Sequence, residues 1–357
     1  MTPSGPLLET VDLEKLFPLT RTLTETFRRG AVRAVHAVDG VNFTVGPGET
    51  LGLIGESGSG KTTLGWLIAR LHEPTGGTIR FDGDDVTHLK GRALRAWRRN
   101  VQIVFQDPVG SLDPRFRVWQ IVGEPIRAQE GVSGSALRSR VRDLLPSVGL
   151  PPDCLDQYPH EFSGGGRQRL SMARALSVSP RLIVLDEPTS ALDVAVQAQI
   201  LNRLVLLQRE RGLSYLVITH NVAAVRFVAD RVAVMYLGRL VEVGGVREVL
   251  EHPVHPYTKA LLAAVPFPDP RRRRTRYRIG GDIPSLVDPK PGCRFAPRCP
   301  FVIDKCRVEY PPLTTVPGLG SRLVSCHRAE EVRDIAPETL LATGPGATVP
   351  AASAAPA

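Results

Sequence analysis

Residues 55–62 read Gly-Glu-Ser-Gly-Ser-Gly-Lys-Thr, a glycine-rich run that ends in a lysine and a hydroxyl residue. The run matches the phosphate-loop pattern G-x-x-x-x-G-K-[ST], in which backbone N–H groups surround a polyphosphate. Residues 49–54 favour a strand and residues 63–71 a helix, which is the context that this pattern needs. The sequence therefore predicts a nucleoside-triphosphate site. Its expected ligand-binding residues are Gly55, Glu56, Ser57, Gly58, Ser59, Gly60, Lys61, Thr62 and Thr63.

Short apolar runs recur along the chain after this loop. They are nearly continuous rather than alternating, which is typical of strands buried on both faces. Helical patterns lie between them at 194–210 and 222–228, so a parallel sheet covered by helices, an α/β fold, is expected. Residues 107–178 interrupt the alternation and are predicted to form a helical insert. The apolar runs are 101–105, 182–185, 215–219 and 232–236.

Composition sets limits on the kind of protein. Hydrophobic residues make up 42% of the chain and charged residues 23%, which is ordinary for a soluble globular protein. We find no leader-like segment and no apolar run of about 18 residues, so a cytosolic protein that does not itself cross a membrane is expected. The net charge is +9. Its arginine runs favour either a solvated face or proximity to anionic lipid, and no recognition motif supports nucleic-acid binding. These runs are Arg92, Arg95, Arg98, Arg99 and residues 271–274.

Two further segments predict chemistry for a bound triphosphate. Residues 182–187 form an apolar run that ends in Asp186 and Glu187, at the strand end where α/β sheets bind ligands. We expect Asp186 to hold Mg²⁺ and Glu187 to accept a proton from an attacking water or orient it. Residues 163–166, Ser-Gly-Gly-Gly, open a predicted helix and provide a second anion site. One triphosphate rarely needs two such sites, so we expect a dimer that clamps each nucleotide between the two chains.

Taken in order, these segments resemble the ATP-binding subunits of ABC transporters over roughly residues 8–330. Residues 55–62 match the Walker A motif, 182–187 match Walker B, and 190–193 match the D-loop. Single residues and the glycine turn complete the set: Gln106 of the Q-loop, Ser163, Gly164 and Gly165 of the signature motif, and the switch histidine His220.

The resemblance implies roles for these residues. Gln106 would sense the γ-phosphate and Mg²⁺ and couple to membrane subunits, so that Thr62, Gln106 and Asp186 form the magnesium site. His220 would contact the γ-phosphate and help to position Glu187. Asp193 would lie at the dimer interface, and the helical insert would dock on the membrane subunits.

The chain departs from the family pattern at two places. Gly166 stands where the family usually has Gln, which removes a side chain at the start of a helix. The aromatic residue that stacks on adenine has no clear counterpart, since Val32 lies near its position, with Phe27 and His36 as neighbours.

The last quarter of the chain differs in composition and is rich in Pro, Arg and Cys. Four cysteines spaced C-x5-C-x6-C-x19-C can hold a [4Fe–4S] cluster or Zn²⁺, and unligated thiols are the third alternative. Residues 252–327 resemble the C-terminal extension of ATPases that serve oligopeptide and dipeptide importers, including nickel-transporting relatives, and this resemblance favours the cluster. Cys154 stands apart as an expected core residue, and His327 as a neighbour rather than a ligand. The predicted ligands are Cys293, Cys299, Cys306 and Cys326.

These observations predict an ABC ATPase domain (1–262), an importer-type extension (263–335) and a disordered tail (336–357). The expected function is that of an ATPase driving a peptide importer at the cytoplasmic face of the inner membrane. Expected partners are a second, paralogous ATPase, two permeases and an extracytoplasmic peptide-binding protein. A weakly hydrolysing subunit beside a catalytic paralogue, a nickel importer, and a soluble ABC ATPase of translation or DNA maintenance are the alternatives.

Overall fold

The computed structural model describes residues 5–19, 33–190, 192–264 and 283–335. The arginine run 271–274, the candidate adenine contacts Phe27 and Val32, and the predicted disordered tail fall outside these ranges. Among the residues described, the helices are all too short or too polar to span a bilayer.

Twelve strands are described. They are β1 (Leu8–Pro18), β2 (Ala34–Val45), β3 (Thr50–Ile54), β4 (Gly76–Phe81), β5 (Asp84–Asp85), β6 (Val101–Val104), β7 (Leu182–Asp186), β8 (Ser214–Ile218), β9 (Arg231–Tyr236), β10 (Arg239–Gly245), β11 (Thr314–Thr315) and β12 (Leu323–Val324).

Twelve α-helices are described with them. They are α1 (Lys61–Ile68), α2 (Gly91–Asn100), α3 (Pro108–Ser111), α4 (Val118–Glu130), α5 (Gly134–Leu144), α6 (Gly164–Leu176), α7 (Val194–Arg211), α8 (Val222–Val228), α9 (Val246–Glu251), α10 (Pro256–Ala263), α11 (Asp304–Val308) and α12 (Ala329–Val332). Short 3₁₀ turns occur at Leu145–Val148, Pro152–Asp156, Pro159–Glu161 and Ala296–Arg298.

The chain divides into two compact units that do not follow its linear order. The first contains Met1–Lys15, Gly40–Ile54 and Lys61–Asp230, and the second contains Leu16–Asp39, Gly55–Gly60 and Arg231–Ala357.

The first unit is built on four parallel strands in the order β3-β8-β7-β6. Strands β3, β7 and β8 are buried along their whole length, as their apolar sequences require. A separate antiparallel pairing joins β1 to β4, from Leu8 opposite Phe81 to Glu14 opposite Gly76. Helices α3 to α6 fill residues 108–176 without a strand, as the predicted helical insert requires. Cys154 is buried in the core of this unit, as expected.

The second unit contains the strands β11-β12-β10-β9. Residues 232–236 form a buried strand as predicted, and within this unit β9 pairs antiparallel with β10. The physical reason is the turn between them. Leu237 and Gly238 both have positive φ, 44° and 83°, which is the type I′ geometry that closes a two-residue hairpin.

Arg98 and Arg99, two of the four arginines of α2, have side-chain partners within the protein. Arg98 donates to the carbonyl of Arg70 at 2.9 Å, and Arg99 pairs with Glu130 at 3.1 Å. Only Trp97 of this helix is buried. Contacts within the protein therefore engage Arg98 and Arg99, which argues against a lipid-binding role for this arginine run.

Candidate functional site

The phosphate loop follows β3 and leads directly into α1, the arrangement that the sequence predicts. Gly60 has φ of 104°, and a Cβ at this position would lie 2.1 Å from the carbonyl oxygen of Ala37. Gly55 is just as tightly enclosed, since its Cβ would lie 2.1 Å from the carbonyl oxygen of Met235. Only glycine fits these two positions, so the curl of the loop is imposed by its sequence.

Lys61 and Thr62 form the first turn of α1, beside the end of β7. The Thr62 hydroxyl donates to the Asp186 carboxylate at 3.2 Å. Burial, with the neighbouring charge of Glu187, raises the pKa of Asp186 to about 6, and the Thr62 hydrogen bond and the charge of Lys61 oppose that rise. A buried carboxylate next to a hydroxyl presents the oxygen ligands that Mg²⁺ prefers, so the two residues fit a magnesium site.

Glu187 lies between Gln106 and His220, two polar side chains that the sequence motifs predict at the same site. Its Oε1 lies 2.9 Å from Nδ1 of His220, and its Oε2 accepts from Nε2 of Gln106 at 3.1 Å. These three residues follow the ends of the parallel strands β7, β8 and β6 respectively. Parallel strands thus bring together side chains that are up to 114 residues apart in sequence.

The backbone of Glu187 is itself unusual. Its φ is 45°, a left-handed conformation that is uncommon for a residue with a long side chain. The Glu187 N–H donates to the carbonyl of Ile218 on β8 at 2.8 Å, which holds this conformation in place. Strained backbone held by surrounding structure is common where a side chain must be aimed at a ligand.

The signature turn has a different setting. Ser163 caps α6 by accepting the N–H of Gly166 at 3.2 Å, and both Ser163 and Gly164 are exposed. Gly165 is buried, and a Cβ there would lie 2.5 Å from Cγ1 of Val196 on α7. The helix therefore forms despite three successive glycines, because its first turn packs directly on its neighbour.

Three other positions singled out in the sequence are Gly166, Asp193 and His36. A Cβ at Gly166 would lie 3.0–3.1 Å from the Phe162 side chain, so the family's usual Gln would need Phe162 to shift. Asp193 caps α7 by accepting the N–H of Val196 at 2.9 Å. His36 lies on β2 with Nδ1 3.8 Å from Asp39, and no described contact bears on adenine.

Sequence reasoning missed the residues that hold Glu56 of the phosphate loop. Both terminal nitrogens of Arg298 donate hydrogen bonds to the Glu56 carboxylate, at 3.0 and 3.3 Å. The Glu56 N–H donates to the hydroxyl of Tyr257 at 2.8 Å. Both partners lie more than 200 residues away in sequence, and no local pattern indicates either contact.

The four cysteines of the C-terminal segment converge on one cavity, which is also lined by His255, Phe295 and Phe301. All four are free thiols, and burial raises the pKa of Cys293 to about 11 and that of Cys326 to about 12. Within the described ranges, no three His, Cys, Asp or Glu side chains already stand as a metal-binding group. Four thiols at one cavity are donors of the kind that bind Zn²⁺ or an iron–sulfur cluster. His327 contacts the carbonyl of Glu309 at 3.1 Å.

Comparison with known proteins matches two family descriptions. Residues 38–190 match the family "ABC transporter", and residues 241–306 match "Oligopeptide/dipeptide transporter, C-terminal region".

Named relatives cover nearly the whole chain. A "Probable peptide ABC transporter ATP-binding protein" of Sinorhizobium fredii is 48% identical over 91% of this chain and 90% of its own length. The "Oligopeptide transport ATP-binding protein AppF" of Bacillus subtilis is 44% identical over 90% of this chain and 97% of its own length.

A solved structure gives the same result for the fold. It is a dimeric ATP-binding cassette in a post-hydrolysis state with ADP and Pi, 28% identical to this chain, with a TM-score of 0.59. The alignment covers 67% of this chain and 99% of that one, so the predicted cassette fold is confirmed. The chain belongs to the ATP-binding ATPases of ABC transporters, in the group that carries the oligopeptide/dipeptide transporter C-terminal region.

Proposed function

We propose that this chain is the ATP-hydrolysing subunit of a membrane importer for di- and oligopeptides. The observation that carries the hydrolytic assignment is the position of Glu187, held between Gln106 and His220 beside the Thr62–Asp186 pair. The peptide assignment is supported by the C-terminal family match and by the names of the relatives.

The residues of the site have separate proposed roles. The loop 55–62 and the start of α1 bind the phosphates, with Lys61 as the cation that neutralises them. Thr62 and Asp186, with Gln106, would hold Mg²⁺, which supplies positive charge to the β- and γ-phosphates. Glu187 accepts a proton from the attacking water or orients it, and His220 fixes its carboxylate and contacts the γ-phosphate.

The exposed signature turn supports assembly with a second ATPase. In the proposed dimer, Ser163, Gly164 and Gly165 complete the nucleotide site of the partner, and Asp193 lies at the interface. We propose a paralogue as that partner. The helical insert 107–178 contacts two permease subunits at the cytoplasmic face of the inner membrane. An extracytoplasmic binding protein delivers the peptide, and closure of the dimer on ATP changes the permease conformation.

We propose that the segment 263–335 is a separate extension that carries a [4Fe–4S] cluster bound by the four cysteines. The convergence of these cysteines on one cavity supports the proposal. Protein purified anaerobically should contain iron and inorganic sulfide and absorb in the visible blue. Stoichiometric zinc in a colourless preparation would replace the cluster with the zinc alternative. The ATPase domain in this proposal comprises residues 1–262.

Peptide-stimulated ATP hydrolysis tests the proposed function. The chain is purified with its permeases and partner ATPase, reconstituted in liposomes with the binding protein, and assayed with peptides or Ni²⁺. Peptides should raise the rate of phosphate release and should accumulate in the compartment on the ATPase side. Stimulation by Ni²⁺ alone would favour the nickel-importer alternative, and a rate that neither cargo changes would contradict the proposal.

The other two alternatives receive less support. A weakly hydrolysing subunit is not favoured, because Asp186, Glu187 and His220 are all present and adjacent. A soluble ABC ATPase of translation or DNA maintenance would not require the importer-type C-terminal region that this chain matches.

A further inference from the structure

We propose that Arg298 is a positioning residue for the phosphate loop, because it holds the Glu56 carboxylate in a partly buried ion pair. This inference rests on the proposed function in one respect, namely that residues 55–62 bind the phosphates of ATP. Nothing in the motif pattern itself requires an acidic residue at the second position of this loop.

The contact has the geometry of a strong pair. Two nitrogens of Arg298 meet the two oxygens of Glu56 at 3.0 and 3.3 Å, the two-pronged arrangement that fixes both planar groups. The Arg298 side chain is 5% exposed and that of Glu56 is 23% exposed. Such a pair is shielded from water, unlike the exposed ion pairs that contribute little.

The Arg298 guanidinium is itself held by surrounding aromatic residues. It donates to the hydroxyl of Tyr236 at 3.2 Å. The Tyr236 ring packs against Tyr257 at a centroid distance of 4.5 Å, and Phe295 packs against both at 5.4 and 5.6 Å. Tyr257 in turn accepts the Glu56 N–H. Glu56 is therefore held at its backbone by Tyr257 and at its side chain by Arg298, and both of these partners contact one buried aromatic cluster.

The position of Arg298 in the chain links this cluster to the cysteine segment. Arg298 ends the 3₁₀ turn Ala296–Arg298, between Cys293 and Cys299. The Cys293 N–H donates to the carbonyl of Cys306 at 2.8 Å, so the turn begins from a fixed point. Anything that unfolds the cysteine segment would therefore also withdraw Arg298 from Glu56.

The chemical reason for the pair is charge. A phosphate loop collects N–H dipoles and one lysine around an anion that carries several negative charges. A carboxylate left without its arginine in this loop repels that anion and competes for the same N–H groups. Removal of Arg298 takes the two-pronged cation away from a partly buried carboxylate, which is more damaging than removal of both charges.

A double-mutant cycle on nucleotide affinity tests the inference. The purified full chain is titrated with a fluorescent ATP analogue as wild type, Arg298→Gln, Glu56→Gln and the double variant. Arg298→Gln should weaken binding on the order of tenfold, the range for a lost hydrogen bond to a charged group. Glu56→Gln alone measures what removal of the carboxylate does to affinity, and the double variant should recover most of the loss that Arg298→Gln causes.

A matched control removes an arginine–carboxylate pair of the same unit that does not touch the loop. Arg333→Gln breaks the exposed pair with Asp334 and should leave nucleotide affinity unchanged. Unfolding midpoint and metal content are measured for every variant. If Arg298→Gln does not fold, Arg298→Lys takes its place, with a smaller loss that Glu56→Gln again restores.

The possible results distinguish a failure of the proposed function from a failure of the proposed role of Arg298. A wild-type chain that does not bind the analogue would contradict the proposed function itself. A wild type that binds, together with an Arg298→Gln variant of equal affinity, overturns the role of Arg298 alone. A loss that Glu56→Gln does not restore would mean that Arg298 supports folding rather than holding the Glu56 charge.

Discussion

Replacement of Gly165 by alanine should disturb the signature turn without touching the phosphate loop. The added Cβ would lie 2.5 Å from Cγ1 of Val196, whereas ordinary contacts between carbon atoms lie near 4 Å. Helices α6 and α7 would have to separate by about 1–1.5 Å at this point. Their displacement would move the exposed Ser163, which the proposed mechanism places against the partner's nucleotide.

The expected cost follows from two opposing effects. Overpacking of a tight contact costs about 1–3 kcal/mol, and alanine in place of glycine inside a helix returns up to about 1 kcal/mol. From the middle of the overpacking range, about 2 kcal/mol, the net loss is about 1–2 kcal/mol. For a unit of this size that loss lowers the unfolding midpoint by about 2–8 °C. Gly164→Ala is the matched control, because its Cβ would meet only the end of the Leu192 side chain at 3.3 Å.

Thermal unfolding and ATP turnover of the assembled transporter measure the two effects. Gly165→Ala should unfold below Gly164→Ala and hydrolyse ATP more slowly at saturating nucleotide. Binding of the fluorescent ATP analogue to the isolated chain should stay at the wild-type level, since Gly165 lies outside residues 55–62. Equal midpoints for the two variants, with normal turnover, would refute the close α6–α7 contact and its proposed consequence.

Three further changes test other parts of the account. Glu187→Gln should bind ATP but hydrolyse it ~10²–10⁴-fold more slowly. The reason is that Gln keeps the contacts with Gln106 and His220 but cannot act as a base. Phosphate release near the wild-type rate would contradict the assignment of Glu187 as the catalytic base. Burial lowers the pKa of Lys259 to about 8 from its ordinary value near 10.5, so the unfolded chain binds this proton more tightly and stability should rise between pH 8 and 10.5. Lys259→Met should reduce that rise in urea-unfolding experiments, and an identical pH profile in the two proteins would contradict it. Cys299→Ser should lower the iron content of anaerobically purified protein, and unchanged iron would exclude this thiol as a ligand.

The sequence predicts the central strands because their surroundings are simple. Strands β3, β7 and β8 are buried on both faces, so each reads as a continuous apolar run. Strand β1 was missed because it mixes charged and apolar residues, and its partner β4 lies about 60 residues away in the chain. Helix α2 was missed for a similar reason, since it is rich in arginine and buries one side chain.

In the candidate site, too, the sequence predicts some features and not others. Ordered motifs place Gln106, Glu187 and His220 at neighbouring strand ends, because parallel strands share one ligand-binding edge. They do not reveal the left-handed backbone of Glu187, which depends on a hydrogen bond to the next strand. Nor do they reveal the pair between Glu56 and Arg298, because that contact crosses 242 positions of sequence.

In the proposed mechanism, ATP is bound between the phosphate loop of one ATPase and the signature turn of the other. The structure of the assembled transporter, trapped with ATP by Glu187→Gln, measures this directly. The Ser163 hydroxyl of this chain should lie within hydrogen-bond distance, about 2.5–3.0 Å, of a γ-phosphate oxygen bound by the partner. A closed, ATP-loaded assembly in which Ser163 faces solvent, far from either γ-phosphate, would contradict the account.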